Sequence, residues 1–202
     1  NILSSNVGSL TNPNKLANTY QSKKKSTISY PTIKSYLDYL CDSFLIEKAM
    51  RYDVKGKQYI NTPMKYYFMD LGLRNVRINF RQYEKTHLME NLIYNELRCR
   101  GFNVDIGSMP ISYMDSNGQR VRVALEIDFV CNLGSMRYYI QSAYRMETEE
   151  KVKQEKASLH HIDDSFKKII IVGEECPVTR DEQGITTMSI YDFLLKDNSL
   201  EL

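Results

Sequence analysis

Glu126–Tyr144 reads EIDFVCNLGSMRYYIQSAY, a stretch with the pattern of two strands joined by a tight turn. Asp128 stands in the first strand; Gln141, Ser142 and Ala143 stand in the second. Gln141 and Ala143 are two apart, so they share one strand face. A phosphodiester-cleaving metal site needs two carboxylates on adjacent strands to hold Mg²⁺, which polarises the phosphate and acidifies a bound water. It also needs a nearby cation to offset the charge that grows in the transition state. Asp128 supplies one acid, and Glu90, on the helix expected upstream, could supply a carboxylate from a second element. Gln141 offers only a neutral amide oxygen and Ala143 no charge at all, so the spacing suits hydrolysis while the residue types fall short of it. Taken singly, Glu90 reads as a helix-surface acid, and Asp128 as part of a solvated strand face shared with Glu126 and Val130.

A second set of residues could bind a polyanion. Net charge is only +2. Residues 1–85, however, hold 14 Lys and Arg against 6 Asp and Glu, a balance of +8, which leaves −6 for residues 86–202. Lys23, Lys24, Lys25, Lys34, Arg51, Lys55 and Lys57 are the candidate phosphate contacts. Each also reads as an ordinary solvated cation, and the two halves could simply attract one another. Tyr36 and Tyr39 read as packing residues more than as base stackers. His160-His161 falls on a charged helix with no catalytic partner in view.

Several chemistries lack their residues. There is no GxxxxGK[ST] and no GxSxG. Cys41, Cys99, Cys131 and Cys176 form no CxxC pair, and the three histidines have no matching spacing for zinc. Scattered, unpaired cysteines suit a reducing cytoplasm. No apolar run reaches 18 residues, so no membrane partner is expected. The first residue is Asn1 and the opening stretch looks like a helix entered midway, which points to a fragment of something longer.

The elements that must carry these residues follow from periodicity. Asn12-Pro13 opens one helix, and a second begins near Ser29–Pro31 with Ile33, Leu37, Leu40 and Cys41 as its apolar stripe. FLIEKAMRYDV reads as a strand, KGKQYINTP as a turn-rich excursion, and MKYYFMDLGLRN as a returning strand and a turn. Helix, helix and a hairpin with a basic tip outline a winged helix-turn-helix, whose second helix can enter a major groove. Leu88, Leu92, Ile93 and Leu97 then mark a longer helix ended by Gly101. Beyond it come a short strand NVDIG, a hairpin turned at Asn117-Gly118, the MRYYIQSAY strand, a charged helix, the buried-type strand KKIIIVG, and a last strand and helix. The expected fold class is α/β (α+β), with a winged helix-turn-helix over residues 1–80. A restriction-endonuclease-like mixed sheet flanked by helices follows over residues 81–202.

That second half has the outline of a PD-(D/E)xK nuclease core. The stretches SYPTIKSYLDYLCDSFLIEKAMRYD, KYYFMDLGLRN, MENLIYNELRCRGFNVDIG, LEIDFV and YYIQSAY resemble the C-terminal region, a domain of unknown function, of a group of prokaryotic predicted ATPases of the AAA superfamily. The resemblance runs from Asn1 to about Leu195. It implies a winged helix followed by a nuclease-like domain in which Glu90, Asp128 and Gln141 form a degenerate corner, with Ala143 where a nuclease has lysine. It also implies an ATPase domain upstream, the only place where ATP and Mg²⁺ are expected; no cofactor is expected in this chain. The sequence thus supports a DNA-binding or regulatory module first. A module docking the ATPase domain or another protein, and a working metal-dependent nuclease, remain as alternatives. Oligomeric state is left open.

Overall fold

The computed structural model describes residues 2–24, 28–81 and 83–202, and for Lys23 and Lys24 the backbone alone. The chain is a mixed α/β protein. Among the described residues, eight strands hydrogen-bond into one mixed sheet, with six α-helices. It forms two compact units, one of residues 1–50 and 61–95 and one of residues 51–60 and 96–202.

In the first unit, helix α1 (Pro13–Lys24) and helix α2 (Tyr30–Asp42) precede strands β1 (Ile46–Asp53) and β2 (Gln58–Phe68). The unit contains β1 up to Met50 and β2 from Asn61. Ser29 caps α2 by accepting the Thr32 N–H, and Pro31 sits in the first turn, where its missing donor costs nothing. The expected stripe is realised: Ile33 and Leu37 pack with Leu16, Ile46 and Tyr66, flanked by Leu40 and Cys41. The turn expected at the end of the stretch Met64–Asn75 instead opens helix α3 (Leu71–Arg77), because the Asp70 side chain caps it by accepting the Leu73 N–H. Arg74 on α3 is buried and donates to the Ser4 carbonyl at 2.8 Å.

Helix α4 (Lys85–Cys99) belongs to this unit up to Asn95. Asn91, fully buried, donates to the Phe68 carbonyl and accepts the Phe68 N–H, both at 2.8 Å, and so closes the end of β2 as a further strand would. The Tyr67 and Tyr94 rings stack at 4.2 Å.

The second unit is built on β3 (Asn103–Met114), β4 (Arg120–Leu133), β5 (Met136–Ala143), β6 (Lys167–Val172), the two-residue β7 (Thr179–Arg180) and β8 (Ile185–Ser189). Residues Arg51–Asp53 of β1 pair in parallel with Ile106–Ser108. NVDIG and the first arm of the expected hairpin prove to be one strand, β3, running through Pro110. Proline is tolerated there because β1 accompanies β3 only as far as Ser108, so the missing N–H faces no partner strand. The turn at Asn117-Gly118 widens into a loop in which the Asp115 carboxylate accepts the Asn117 and Gln119 N–H groups.

β4 and β5 form the expected hairpin, Leu133 opposite Met136 across Gly134-Ser135, with Gly134 at φ 59°. Helix α5 (Glu149–His160), capped by Thr148, then carries the chain over to β6, which lies parallel to β5. Its Leu159 is buried with Ile127, Val130, Tyr139, Ala143 and Ile170. Helix α6 (Ile190–Leu195) follows β8, and Arg100 ties the segment after it by donating to Ser199 Oγ at 2.8 Å.

Candidate functional site

In the second unit β4 is central, and its Ile127–Cys131 part is buried on both faces. Ile127, Phe129 and Val130 are fully buried and Asp128 nearly so, which replaces the solvated strand face expected for Asp128. Asp128 lies beside β5: its Oδ2 accepts the Ser142 backbone N–H at 2.8 Å. Gln141 is drawn in from the other strand. Its Oε1 accepts the Asp128 N–H at 3.4 Å, and its Nε2 faces Glu155 Oε2 at 3.4 Å.

Glu155 on α5 is paired in turn with Lys151 at 2.5 Å, an i,i+4 ion pair. The sequence reading missed Lys151 and Glu155; their four-residue spacing on a charged helix was the available signal. Ala143 is buried in the apolar cluster with Leu159, Ile162 and Val172. The site therefore brings Asp128, Gln141, Glu155 and Lys151 into one hydrogen-bonded row and leaves Ala143 among hydrocarbon.

A divalent cation does not fit this row. Mg²⁺ needs carboxylate oxygens gathered in near-octahedral geometry. Here one carboxylate receives a backbone amide, the amide of Gln141 is spent on its neighbours, and Glu155 is neutralised by an ammonium. Among the described residues, no group of three or more His, Cys, Asp and Glu side chains is placed to hold a metal ion.

Glu90 belongs to the first unit and is buried, against the expectation of a helix-surface acid. Lys65 Nζ donates to its Oε1 at 2.8 Å and the Tyr67 hydroxyl donates to the same atom at 2.6 Å. His87 Nδ1 stands 3.8 Å from Oε2. Burial alone would raise the Glu90 pKa, but the Lys65 ammonium and the surrounding donors outweigh it and hold the carboxyl below its ordinary value. The same carboxylate raises the His87 pKa above 6.5. Lys65 was not singled out in the sequence; a lone lysine in the apolar run Met64–Phe68 was the sign that it would be buried.

The candidate phosphate contacts separate. Lys34 is exposed on α2 in the first unit, beside exposed Tyr36 and Tyr39, which are therefore not core residues. Arg51, Lys55 and Lys57 belong to the second unit. Arg51 donates to Ser108 Oγ at 3.2 Å. Lys25 lies outside the described residues, as do the side chains of Lys23 and Lys24.

A family profile described as "Domain of unknown function (DUF8612)" matches residues 1–84. A Haemophilus influenzae protein, described only as uncharacterized, is 36% identical over 194 residues, covering 96% of this chain and 44% of the relative. The uncharacterized protein MJ1544 of Methanocaldococcus jannaschii is 30% identical over 130 residues, covering 64% of this chain and 26% of its own length. The chain thus spans less than half the length of these relatives, and neither name speaks of an ATPase or a nuclease. No solved structure matches the chain. No helix among the described residues is long and apolar enough to cross a membrane.

Proposed function

We propose that this chain is a DNA-binding module of a larger ATPase, built on a nuclease-like scaffold that does not cut. The observation that carries it is the row Asp128–Gln141–Glu155–Lys151, in which the Asp128 carboxylate accepts the Ser142 N–H and Glu155 is paired with Lys151, next to an Ala143 that sits in the core. The first unit would act as a winged helix, with α2 presenting Lys34 to the phosphate backbone and the Lys23–Lys25 run adding charge nearby in sequence. The balance of +8 over residues 1–85 supports a polyanionic partner. The AAA assignment rests on the sequence resemblance, and the relatives' greater length leaves room for a further domain. A binding titration against duplex DNA at rising salt, run alongside a cleavage assay in Mg²⁺ or Mn²⁺, tests both halves of the proposal.

A second reading, a module that docks a protein, has its own support. Met69, Leu73, Val76 and Phe80, in and around α3, are 40%, 55%, 57% and 66% exposed. Apolar side chains grouped on one short segment commonly mark a protein interface. Such a module would alter assembly state in the longer protein and leave DNA behind.

A further inference from the structure

The hairpin tip between β1 and β2 lies in the second unit, where it borders a groove of about 550 Å³ lined by Lys55, Lys57, Ser112, His160, His161 and Asp163 over an apolar floor that includes Met109 and Ile162. That volume lies within the range of small-ligand sites, about 300–1,000 Å³. The tip is held in one shape. Val54 is buried and its N–H bonds the Ser108 carbonyl at 3.0 Å. Asp53 Oδ1 accepts the Lys55 N–H at 3.1 Å and the Gly56 N–H at 2.8 Å. A Cβ at position 56 would stand 2.6 Å from Asp53 Oδ2, so a larger residue there would have to displace that carboxylate.

Lys57 is a non-glycine residue at φ 53°, a conformation that costs energy and is tolerated where the surroundings enforce it. Among the described residues, Lys55, Lys57, His160 and His161 enter no ion pair. Of the two acids at the groove, Asp164 is engaged by its neighbours, accepting the Tyr139 hydroxyl at 2.6 Å and the Phe166 N–H at 3.1 Å. Asp163 is exposed.

We propose that this groove binds a nucleoside phosphate, its phosphate on Lys55 and Lys57 with imidazole N–H groups of His160 and His161 as further donors. The base lies over the apolar floor, and a ribose hydroxyl donates to Asp163. Lysine ammonium groups and imidazole N–H groups are donors suited to phosphate oxygens, and the one exposed carboxylate needs a ligand that brings hydroxyl donors. The ligand is either a free nucleotide or the phosphorylated end of a strand. The assignment stands apart from duplex binding by the first unit.

The test is calorimetric titration of the 202-residue chain with AMP, with adenosine, and with 5′-phosphorylated and 5′-hydroxyl oligothymidylate. AMP should bind saturably, and adenosine about tenfold more weakly or worse, since charge-assisted bonds to phosphate are lost. Lys57→Gly, which keeps the left-handed turn while removing the charge, and Lys55→Ala should each weaken AMP about tenfold with no fall in the unfolding midpoint. A preference for the 5′-phosphorylated strand assigns the site to strand ends; AMP binding with both strands excluded assigns it to free nucleotide. Equal binding of adenosine and AMP, no binding of any probe, or lysine variants that bind as the wild type does would overturn the proposal. A Lys34→Ala variant with normal AMP affinity separates this result from any loss of duplex binding.

Discussion

Ser142 donates its backbone N–H to Asp128 Oδ2 at 2.8 Å, joining β4 to β5 through a side chain. In a metal-dependent nuclease an acid at this position would be turned to a cation. Here it satisfies a buried amide, and such a group left unpaired costs about 1–3 kcal/mol.

Asp128→Ala should therefore lower the unfolding free energy by about 1–3 kcal/mol, while Asp128→Asn, which retains an acceptor, should lose less. Urea unfolding of the two variants checks this. Equal losses would show that the hydrogen bond to Ser142 is not what Asp128 supplies.

Ala143→Lys, which rebuilds the acid-x-lysine pattern in part, should destabilise the protein and confer no cleavage. The position is only 2% exposed and lies among Leu159, Ile162 and Val172, so the added stem overpacks the core at about 1–3 kcal/mol and the ammonium must be buried as well. Thermal unfolding and a plasmid-nicking assay are the measurements. A stable variant that nicks DNA would contradict both expectations.

The buried pair in the first unit gives a larger effect. Glu90→Ala leaves Lys65 without its carboxylate in a site where the lysine is 3% exposed, and breaking such a pair costs about 3–5 kcal/mol. A Glu90→Leu, Lys65→Met double variant should recover much of that loss, because two apolar side chains replace two charges. Chemical denaturation of the single and double variants tests the coupling.

The pH dependence has a definite sign. The His87 pKa is raised in the folded state, so its contribution to stability is fully present below the unfolded value near 6.5 and is lost as pH rises through the folded value. The Glu90 pKa is lowered, so its contribution is present above the unfolded value near 4.5 and is lost as pH falls through the folded one. Unfolding free energies at pH 6 and pH 8.5 should differ in the wild type, and His87→Gln should flatten that difference.

How far the sequence could be read is clear from individual residues. Ile33 and Leu37 repeat at helical spacing and do face a core; the Leu133–Met136 turn, the charged helix α5 and the buried strand β6 follow from local pattern. What failed was long-range. Glu90 looked exposed because nothing in its helix announces Lys65 and Tyr67, 25 and 23 residues away. NVDIG and the first arm of the hairpin looked like separate strands; the length of β1, which decides whether the missing N–H of Pro110 matters, is fixed in another part of the chain. Lys151 and Glu155 were invisible as parts of the corner, since only the crossover from β5 to β6 brings α5 over Gln141.

The most direct test is a single incubation of the protein with linear duplex DNA in Mn²⁺, read by both mobility shift and strand integrity at several salt concentrations. Intact DNA that is retained at about 50 mM salt and released as salt rises is the predicted result. Strand cleavage that disappears in Asp128→Ala, or no retention at any salt, would contradict the account.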